Sequence, residues 1–390
     1  MHLEWPPDSA PSVFSAAWLR RHAYWWDGPP PEEPPPHTRG VSEGVESALA
    51  RAWWRDEALD KRTRAVWRPS TLPNHLPPSL PYSAWMGSEG GLLQGLRLLR
   101  DYGFVVLQGA PVSEEATEAA CLRLGFLRPT LYGPGMWRTE VRGEEAPPAP
   151  TKGGDNTPPQ GCGEKVTDTA YTSSALALHT DGNYLRDPPG LQVFHCTQPD
   201  AGGGGWSLLA DGLAVAEEVA RLDPGAFRLL TLWPLPYHHT GVDGRVTAAR
   251  PVFELDEGGE VCGMFFNNDD RGPVVTLPSW GREAALATAL LGGKHLPSNT
   301  LSHPSTAIPA LYSALRVLQG VLRNPGLALR LSLQPGNILI FNNHRVLHGR
   351  EAFGRSSGRT LVGCYLGADE WQSKIREAAA AVAVPTPTLS

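Results

Sequence analysis

The sequence predicts a mainly β fold, a barrel or sandwich of short strands with helices packed outside it. Short strand-like runs recur along the chain, helical patterns are few, and turn residues are abundant, with 42 Gly and 38 Pro among 390 residues. This length leaves room for a main domain and a smaller one. We therefore expect a small β-rich N-terminal module over residues 1–85 and the main domain over residues 86–380.

The main domain opens with two predicted helices around a strand. Residues 89–103 form an apolar helical pattern that ends at Gly103, and FVVLQGAP after it is typical of a strand and turn. Residues 113–125 predict a second helix, with Ser113 as its N-cap. Residues 142–165 have almost no apolar periodicity, which predicts a flexible insertion.

The second half of the chain carries most of the predicted strands. Residues 191–198 predict a strand, residues 211–222 a helix capped by Asp211, and residues 305–323 another helix. LRLSLQPGNILIFNNHRVLHGR is interpreted as two strands around a Pro-Gly turn, and RTLVGCYLG as a further strand. The tail AVAVPTPTLS is expected to fray.

Composition excludes several classes of function. The formal net charge of −6 offers no basic surface for nucleic acid, and no apolar run is long enough to span a membrane. The start, MHLEWPPDSAPSVF, lacks a secretory or Arg-rich targeting pattern, so we expect a cytoplasmic protein, or a mitochondrial one if a targeting segment is missing. Five cysteines without a C-x-x-C pair predict reduced thiols and a metal site of nitrogen and oxygen ligands.

The stretch LALHTDGNYL places His179 and Asp181 two residues apart. On a strand the two side chains would face the same interior, where a carboxylate beside an imidazole is costly unless something pairs with both. A metal ion would do so. His348, which follows the strand NILIF, is the best third ligand, and His344 competes with it because the two are an even number of residues apart. Two histidines and a carboxylate leave three adjacent positions open on Fe(II) for a chelating co-substrate and O₂.

An arginine at the start of the next predicted strand is a candidate for binding a carboxylate. Arg359 lies eleven residues after His348 and begins the strand RTLVGCYLG. Pointing inward, it would hold the far carboxylate of 2-oxoglutarate through two hydrogen bonds, and Tyr365 would then share its face. The alternative is a solvated charge at a strand end.

Three longer stretches resemble a known family. HTDGNYLRDPPGLQVFHC, GGGGWSLLADG and NNHRVLHGRE…GRTLVGCYLGADE are similar to the Fe(II)/2-oxoglutarate dioxygenases of carnitine biosynthesis, which act on trimethyllysine or γ-butyrobetaine and are relatives of taurine dioxygenase. The resemblance is strong over residues 102–376. It implies a double-stranded β-helix (jelly-roll) core, 2-oxoglutarate as co-substrate, ascorbate as a supporting reductant and a homodimer. Many relatives carry a cysteine-rich zinc site in the N-terminal module. No cysteine precedes Cys121 in this chain, so we expect that zinc site to be absent.

The resemblance also assigns roles to residues of the main domain. It implies His179, Asp181 and His348 as the iron ligands and Arg359 as the partner of the oxoglutarate C5 carboxylate. Ser207 stands where the family usually has Thr, and its hydroxyl would supply the same hydrogen bond.

The substrates of this family carry a trimethylammonium group. Having no N–H to donate, that group is recognised by aromatic faces. The resemblance implies that four aromatic residues form the walls of such a cage: Tyr132, Trp137, Tyr171 and Tyr365. It also assigns Tyr184 to the substrate site.

Two polar residues bear on the choice of substrate. Asp168 is a carboxylate where the γ-butyrobetaine enzymes carry Asn, and it suits the α-ammonium group that trimethyllysine has and γ-butyrobetaine lacks. Asn267 matches a motif whose first Asn contacts substrate. The resemblance therefore implies hydroxylation of Nε-trimethyllysine at C3, with release of succinate and CO₂, as the first step of carnitine biosynthesis. The alternatives are a γ-butyrobetaine hydroxylase that makes L-carnitine and a non-catalytic betaine-binding barrel.

Overall fold

Fourteen strands and seven helices lie in the described residues of the computed structural model, which are 64–130, 133, 135–140, 173–199, 202–241, 244–256, 258–274, 304–354 and 358–383. All of them belong to one unit, Glu57–Ser390, and the other unit, Met1–Asp56, lies outside them. The strands are β1 (Ser79–Pro81), β2 (Phe104–Gln108), β3 (Trp137–Glu140), β4 (Leu176–His179), β5 (Leu191–Gln198), β6 (Ser207–Asp211), β7 (Leu235–Gly241), β8 (Gly244–Arg250), β9 (Phe253–Leu255), β10 (Val261–Met264), β11 (Leu329–Leu331), β12 (Ile338–Asn342), β13 (Val346–Arg350) and β14 (Thr360–Leu366). The helices are α1 (Tyr82–Gly87), α2 (Glu89–Tyr102), α3 (Glu114–Leu122), α4 (Gly212–Leu222), α5 (Pro224–Leu232), α6 (Pro304–Leu322) and α7 (Ala368–Ala383).

Ten of these strands form two sheets that face each other. The major sheet has six strands in the order β1-β2-β12-β5-β14-β3, and the minor sheet has four in the order β11-β6-β13-β4. All pairs in the two sheets are antiparallel except β1 with β2. The prediction of a mainly β fold with flanking helices is confirmed, and the two facing sheets form the double-stranded β-helix.

Three apolar clusters hold the layers together. One fills the space between the sheets and includes Phe341 of the major sheet and Leu209 of the minor sheet. A second joins the outer face of the minor sheet to α4, α5 and α6, and a third joins the outer face of the major sheet to α1, α2, α3 and α7. Because side chains alternate along a strand, each central strand feeds both an inner and an outer layer.

Several helix ends follow the residues that predicted them. Helix α2 ends before Gly103, whose φ of +78° is the left-handed conformation that favours glycine at a helix C-terminus. Ser113 accepts a hydrogen bond from the backbone N–H of Ala116 at the start of α3, and Asp211 accepts one from Leu213 at the start of α4. Helix α3 ends three residues earlier than the pattern predicted.

Two predictions in the C-terminal part of the chain were wrong or incomplete. LRLSLQPGNILIFNNHRVLHGR forms three strands, because the chain turns again after Asn342, whose side chain accepts from the N–H of His344 and whose carbonyl accepts from Arg345. Helix α7 was not predicted, although its buried residues Trp371, Ile375 and Ala378 have helical spacing.

Other predictions fall outside the described residues. These are most of the N-terminal module, the insertion at 142–165 and residues 384–390 of the tail. Within the part of the chain that the structure covers, none of the helices combines the length and the apolar character needed to cross a bilayer.

Candidate metal centre and active site

Two histidines and an aspartate converge on the inner side of the minor sheet. His179 is the last residue of β4, His348 lies in the middle of β13, and the two are direct partners across these antiparallel strands. Asp181 follows β4, and its Oδ1 lies 3.3 Å from His179 Nε2 and 3.8 Å from His348 Nε2. One ligand atom from each residue lies within 4.8 Å of the others, so the three form a single potential metal-binding cluster.

Backbone contacts after β4 explain how Asp181 reaches this position. The Asn343 side chain accepts from the N–H of Asp181 at 2.8 Å and donates to its carbonyl at 3.0 Å. Gly182 follows with a φ of +71°, which turns the chain sharply. The side chain therefore points back at the two histidines instead of continuing the strand.

The protonation of two of these three groups, His348 and Asp181, suits metal binding. Burial, together with the charge of His179, lowers the pKa of His348 to about 3, so this imidazole is neutral. Burial opposes ionisation of Asp181, but the neighbouring His348 and His179 more than offset it and hold the carboxylate pKa well below its usual range. Burial also disfavours protonated His179, yet its hydrogen bond and charge interaction with Asp181 raise its pKa overall.

The hydrogen bonding of His179 provides a test of whether a metal fits. Its Nδ1 lies 2.7 Å from the carbonyl oxygen of Ala177, an atom that only accepts, so Nδ1 carries the proton in the neutral ring. The lone pair is then on Nε2, which faces Asp181 Oδ1. Two imidazole nitrogens and one carboxylate oxygen form the donor set that Fe(II) takes in facial triads, and the residues present fit that ion.

Aromatic and amide side chains of the major sheet close the other side of the cluster. The Phe194 and Phe341 rings lie 5.6 Å and 5.1 Å from the His348 ring, which keeps water away from it. Gln192 and Tyr365 both donate to Asp181 Oδ2 at 2.7 Å. The centre is thus shared between the two sheets.

Arg359 and a second arginine, Arg350, pack against the same ring, that of Phe353, and Arg350 lies two residues after His348 on β13. They are 8% and 7% exposed, and their guanidinium groups lie 5.4 Å and 4.6 Å from the ring centroid of Phe353. Burial, followed by the charge of Arg359, lowers the pKa of Arg350 to about 10. Ser207 is buried and pairs with Arg350 across β6 and β13. The predicted Arg359 and Ser207 therefore belong to one region.

Two of the four predicted cage walls lie next to the cluster. The Trp137 and Tyr365 rings are 6.0 Å apart, and Trp137 also packs edge-on against Phe194 at 5.5 Å. Tyr132, Asp168 and Tyr171 lie outside the described residues. The described part of the predicted cage is therefore an aromatic corner, Trp137 and Tyr365, beside Asp181.

The structure places two other predicted substrate residues in different surroundings. Tyr184 packs into the apolar cluster that also contains Leu178 and Leu347, on the outer side of the minor sheet, with its ring 5.0 Å from that of His239. Asn267 donates to Asp270 at 2.9 Å and accepts from the N–H of Asp269 at 2.9 Å, so its amide orients the loop after β10. Their roles at a substrate site stay predictions.

The competing ligand His344 lies apart from the cluster. Its Nε2 lies 3.1 Å from the carbonyl oxygen of Pro188 and its ring packs 5.1 Å from that of Phe265. Strand alternation in the sequence did not decide between His344 and His348 as the third ligand. The sequence also did not identify Arg350 or Gln192 as residues of the site. Arg350 lies two residues after His348, which was a usable signal on a strand, whereas a lone Gln within an apolar strand gave none.

The chain is similar to proteins of one enzyme family. Residues 72–365 match the model of the "Taurine catabolism dioxygenase TauD, TfdA family". The crystal structure of AAD-2 in complex with Mn(II) and N-oxalylglycine has a TM-score of 0.50 at 11% identity, over 72% of this chain and 89% of that one. This second likeness concerns the fold alone.

Curated relatives share more of the sequence. Trimethyllysine dioxygenase of Meyerozyma guilliermondii is 28% identical over 96% of this chain and 78% of the relative. The mitochondrial trimethyllysine dioxygenase of Mus musculus is 30% identical over 79% of this chain, and γ-butyrobetaine dioxygenase of Pseudomonas sp. is 29% identical over 85%. The match spans 62% of the mouse protein, less than two thirds of its length, and 76% of the Pseudomonas protein.

Proposed function

The chain belongs to the taurine catabolism dioxygenase TauD, TfdA family, and from that premise we propose that it is an Fe(II)/2-oxoglutarate-dependent hydroxylase of Nε-trimethyllysine. The observation that carries the catalytic part is the convergence of His179, Asp181 and His348 within 4.8 Å. Fe(II) held there would couple oxidation of 2-oxoglutarate to succinate and CO₂ with insertion of one oxygen atom of O₂ at C3 of the substrate.

The residues of the chain supply position and environment for this chemistry. The imidazoles of His179 and His348 and the carboxylate of Asp181 would hold the ion, with His179 giving up any proton on Nε2 when it binds, and would leave coordination positions for the co-substrate and O₂. Arg359, with Arg350 beside it, provides the positive charge for the C5 carboxylate of 2-oxoglutarate. Phe194 and Phe341 limit access of water to the histidine side of the centre.

The choice of substrate rests on the aromatic corner and on the relatives. Trp137 and Tyr365 offer ring faces next to Asp181, which is where a trimethylammonium group would be recognised. The names of the relatives support trimethyllysine, with γ-butyrobetaine as the alternative. Asp168 favours the first, because only trimethyllysine has an α-ammonium group to pair with that carboxylate. Ascorbate as a supporting reductant, the homodimer and the mitochondrial or cytoplasmic location stay predictions.

A turnover assay tests the proposal. The purified chain is incubated with Fe(II), 2-oxoglutarate and ascorbate, with either trimethyllysine or γ-butyrobetaine, and succinate and hydroxylated product are measured by mass spectrometry. We expect product at C3 of trimethyllysine. Asp168→Asn should lower trimethyllysine turnover at least tenfold, about 1.4 kcal/mol in transition-state free energy.

Matched histidine variants serve as the control. His179→Ala should abolish succinate release, whereas His344→Ala, whose ring contacts Pro188 and Phe265, should retain it. Product from γ-butyrobetaine alone would overturn the substrate assignment and leave the chemistry intact. A correctly folded chain that releases no succinate with either compound would refute the catalytic proposal, and the betaine-binding barrel would remain.

A further inference from the structure

We propose that Gln192 and Tyr365 act as positioning residues that make Asp181 a one-oxygen metal ligand, a role that rests on the metal-dependent function proposed above. We call these two residues the carboxylate clamp. Tyr365 Oη donates to Asp181 Oδ2 at 2.7 Å, and Gln192 Nε2 donates to the same oxygen at 2.7 Å. The other oxygen, Oδ1, is the one that faces the Nε2 atoms of His179 and His348.

The clamp makes the two carboxylate oxygens unequal. A carboxylate oxygen offers about two lone-pair directions, and two donors occupy those of Oδ2. Oδ1 then carries the free lone pair that points at the metal position. A carboxylate bound through both oxygens would take a further coordination position, so a clamp on Oδ2 preserves the three open positions that the co-substrate and O₂ need.

The clamp also crosses from one sheet to the other. Asp181 follows a strand of the minor sheet, whereas Gln192 in β5 and Tyr365 in β14 are direct partners in the major sheet. The Asn343 side chain makes two hydrogen bonds to the Asp181 backbone, and the clamp hydrogen-bonds the Asp181 side chain from the major sheet. Because Asp181 lies beyond the end of β4, these contacts replace the strand ladder in fixing its direction.

The buried side chain of Gln192 has an acceptor that the described part of the chain leaves unpaired, which indicates that its Nε2–H donor is the reason for an amide at this position. Its side chain is nearly buried, and its carbonyl Oε1 has no hydrogen-bond partner among the described residues. A buried acceptor without a donor destabilises the folded chain. An apolar residue of similar length would fill the same space without that destabilisation. The amide is therefore explained by its Nε2 donor, which lies 2.7 Å from Asp181 Oδ2 and 3.4 Å from Tyr365 Oη.

Tyr365 connects the clamp to the aromatic corner. Its hydroxyl is bound to Asp181, and its ring lies 6.0 Å from that of Trp137. The hydrogen bond therefore fixes both the metal carboxylate and the orientation of one predicted cage wall. This links the position of the substrate cation to the position of the metal.

Metal affinity of the metal-free full chain tests the clamp without depending on turnover. Gln192→Met keeps the length of the side chain and removes the amide, and Tyr365→Phe removes only the hydroxyl. Each protein is titrated with Co(II) by calorimetry, and the visible absorption of the bound ion reports its coordination. We expect each variant to bind Co(II) about 10- to 100-fold more weakly than the wild type, with an altered absorption band.

Tyr82→Phe is the matched control, since its hydroxyl donates to the carbonyl of Ala116 at 3.1 Å on the helical side of the major sheet. Its Co(II) affinity should equal that of the wild type. Thermal unfolding of the metal-free proteins separates a loss of fold from a loss of ligand geometry, and Tyr365→Phe is the milder variant. Wild-type affinity and absorption in both folded clamp variants would overturn the clamp and leave the proposed function standing. A wild type that binds no Co(II) would overturn both.

Discussion

Two buried arginines lie where we propose that the far carboxylate of 2-oxoglutarate binds. Arg350 and Arg359 lie close enough for the charge of one to lower the pKa of the other, and both are less than a tenth exposed. Two like charges in so little solvent are costly, and a bound carboxylate would offset part of that cost. The pair therefore favours a carboxylate ligand more strongly than Arg359 alone would.

Replacing Arg359 by lysine tests this interpretation. Lysine keeps the charge but loses the two-pronged donor geometry, so we expect the KM for 2-oxoglutarate to rise at least tenfold with a smaller change in kcat. Steady-state kinetics measures both. Arg330→Lys is the control, because Arg330 is exposed and pairs with Glu351 on the surface. Equal KM values in the two variants would place the co-substrate carboxylate elsewhere.

A second buried histidine, His195, predicts that the stability of the protein depends on pH. His195 in β5 is fully buried, its Nδ1 lies 2.7 Å from Thr117 Oγ1, and its Nε2 has no partner among the described residues. Burial lowers its pKa below the usual value. A proton on Nε2 would create an N–H without an acceptor, so protonation favours the unfolded chain.

We therefore expect the free energy of unfolding to decrease as the pH falls. The contribution of His195 is complete above its unfolded pKa of about 6.5 and declines by about 1.4 kcal/mol per pH unit until the lower folded pKa is reached. Thermal unfolding at pH 7.5 and pH 5.5 should show a smaller drop in Tm for His195→Gln than for the wild type. An identical drop in both proteins would contradict the assignment.

At the scale of elements, one buried ion pair joins a helix, a turn and the strand that carries His348. Asp211, the last residue of β6 and the N-cap of α4, accepts from Arg345 through both of its oxygens at 3.0 Å. Arg345 lies in the turn before β13 and also donates to carbonyls at the end of α2. The side chains of the pair are 0% and 4% exposed, so neither charge is met by water.

Asp211→Asn should destabilise the fold by about 3–5 kcal/mol, because it leaves the guanidinium of Arg345 buried without its counter-charge. Chemical denaturation followed by far-UV circular dichroism measures the change. Glu217→Gln is the matched control, since its ion pair with Arg68 is largely exposed and is worth about 0–1 kcal/mol. Equal losses of unfolding free energy in the two variants would mean that the buried Asp211–Arg345 pair stabilises the fold no more than the exposed pair.

At the scale of the whole described unit, the candidate metal centre joins the two sheets. The proposed ligands come from β4, β13 and the loop after β4, and the proposed clamp comes from the major sheet. An ion that binds only the folded chain stabilises it by mass action, by about 2.7 kcal/mol when its free concentration is 100 times its Kd.

Thermal unfolding with Co(II) and 2-oxoglutarate should therefore show a higher Tm than the metal-free protein, and excess chelator should reverse the rise. His348→Ala should show no such rise, because it removes one of the three proposed ligands. A Tm that responds equally in the wild type and in this variant would mean that Co(II) binds at another place.

The sequence by itself determined the elements whose signals are local. Gly103 ends α2 because only a residue without a side chain adopts the left-handed backbone there easily, and Ser113 and Asp211 begin helices because their oxygens accept free backbone N–H groups. The proposed ligands His179, Asp181 and His348 could also be chosen from sequence, because their residue types and their resemblance to a family both narrowed the choice.

Only the tertiary structure decided which partners these residues have. His344 and His348 are equivalent by strand alternation, and the turn after Asn342 sends the first towards Pro188 and the second towards Asp181. Gln192 and Arg350 acquired their significance only when distant strands were paired, since neither residue type is informative alone. Hydrogen bonds and charge interactions act over a few ångströms, and the fold, not the order of residues along the chain, sets those distances.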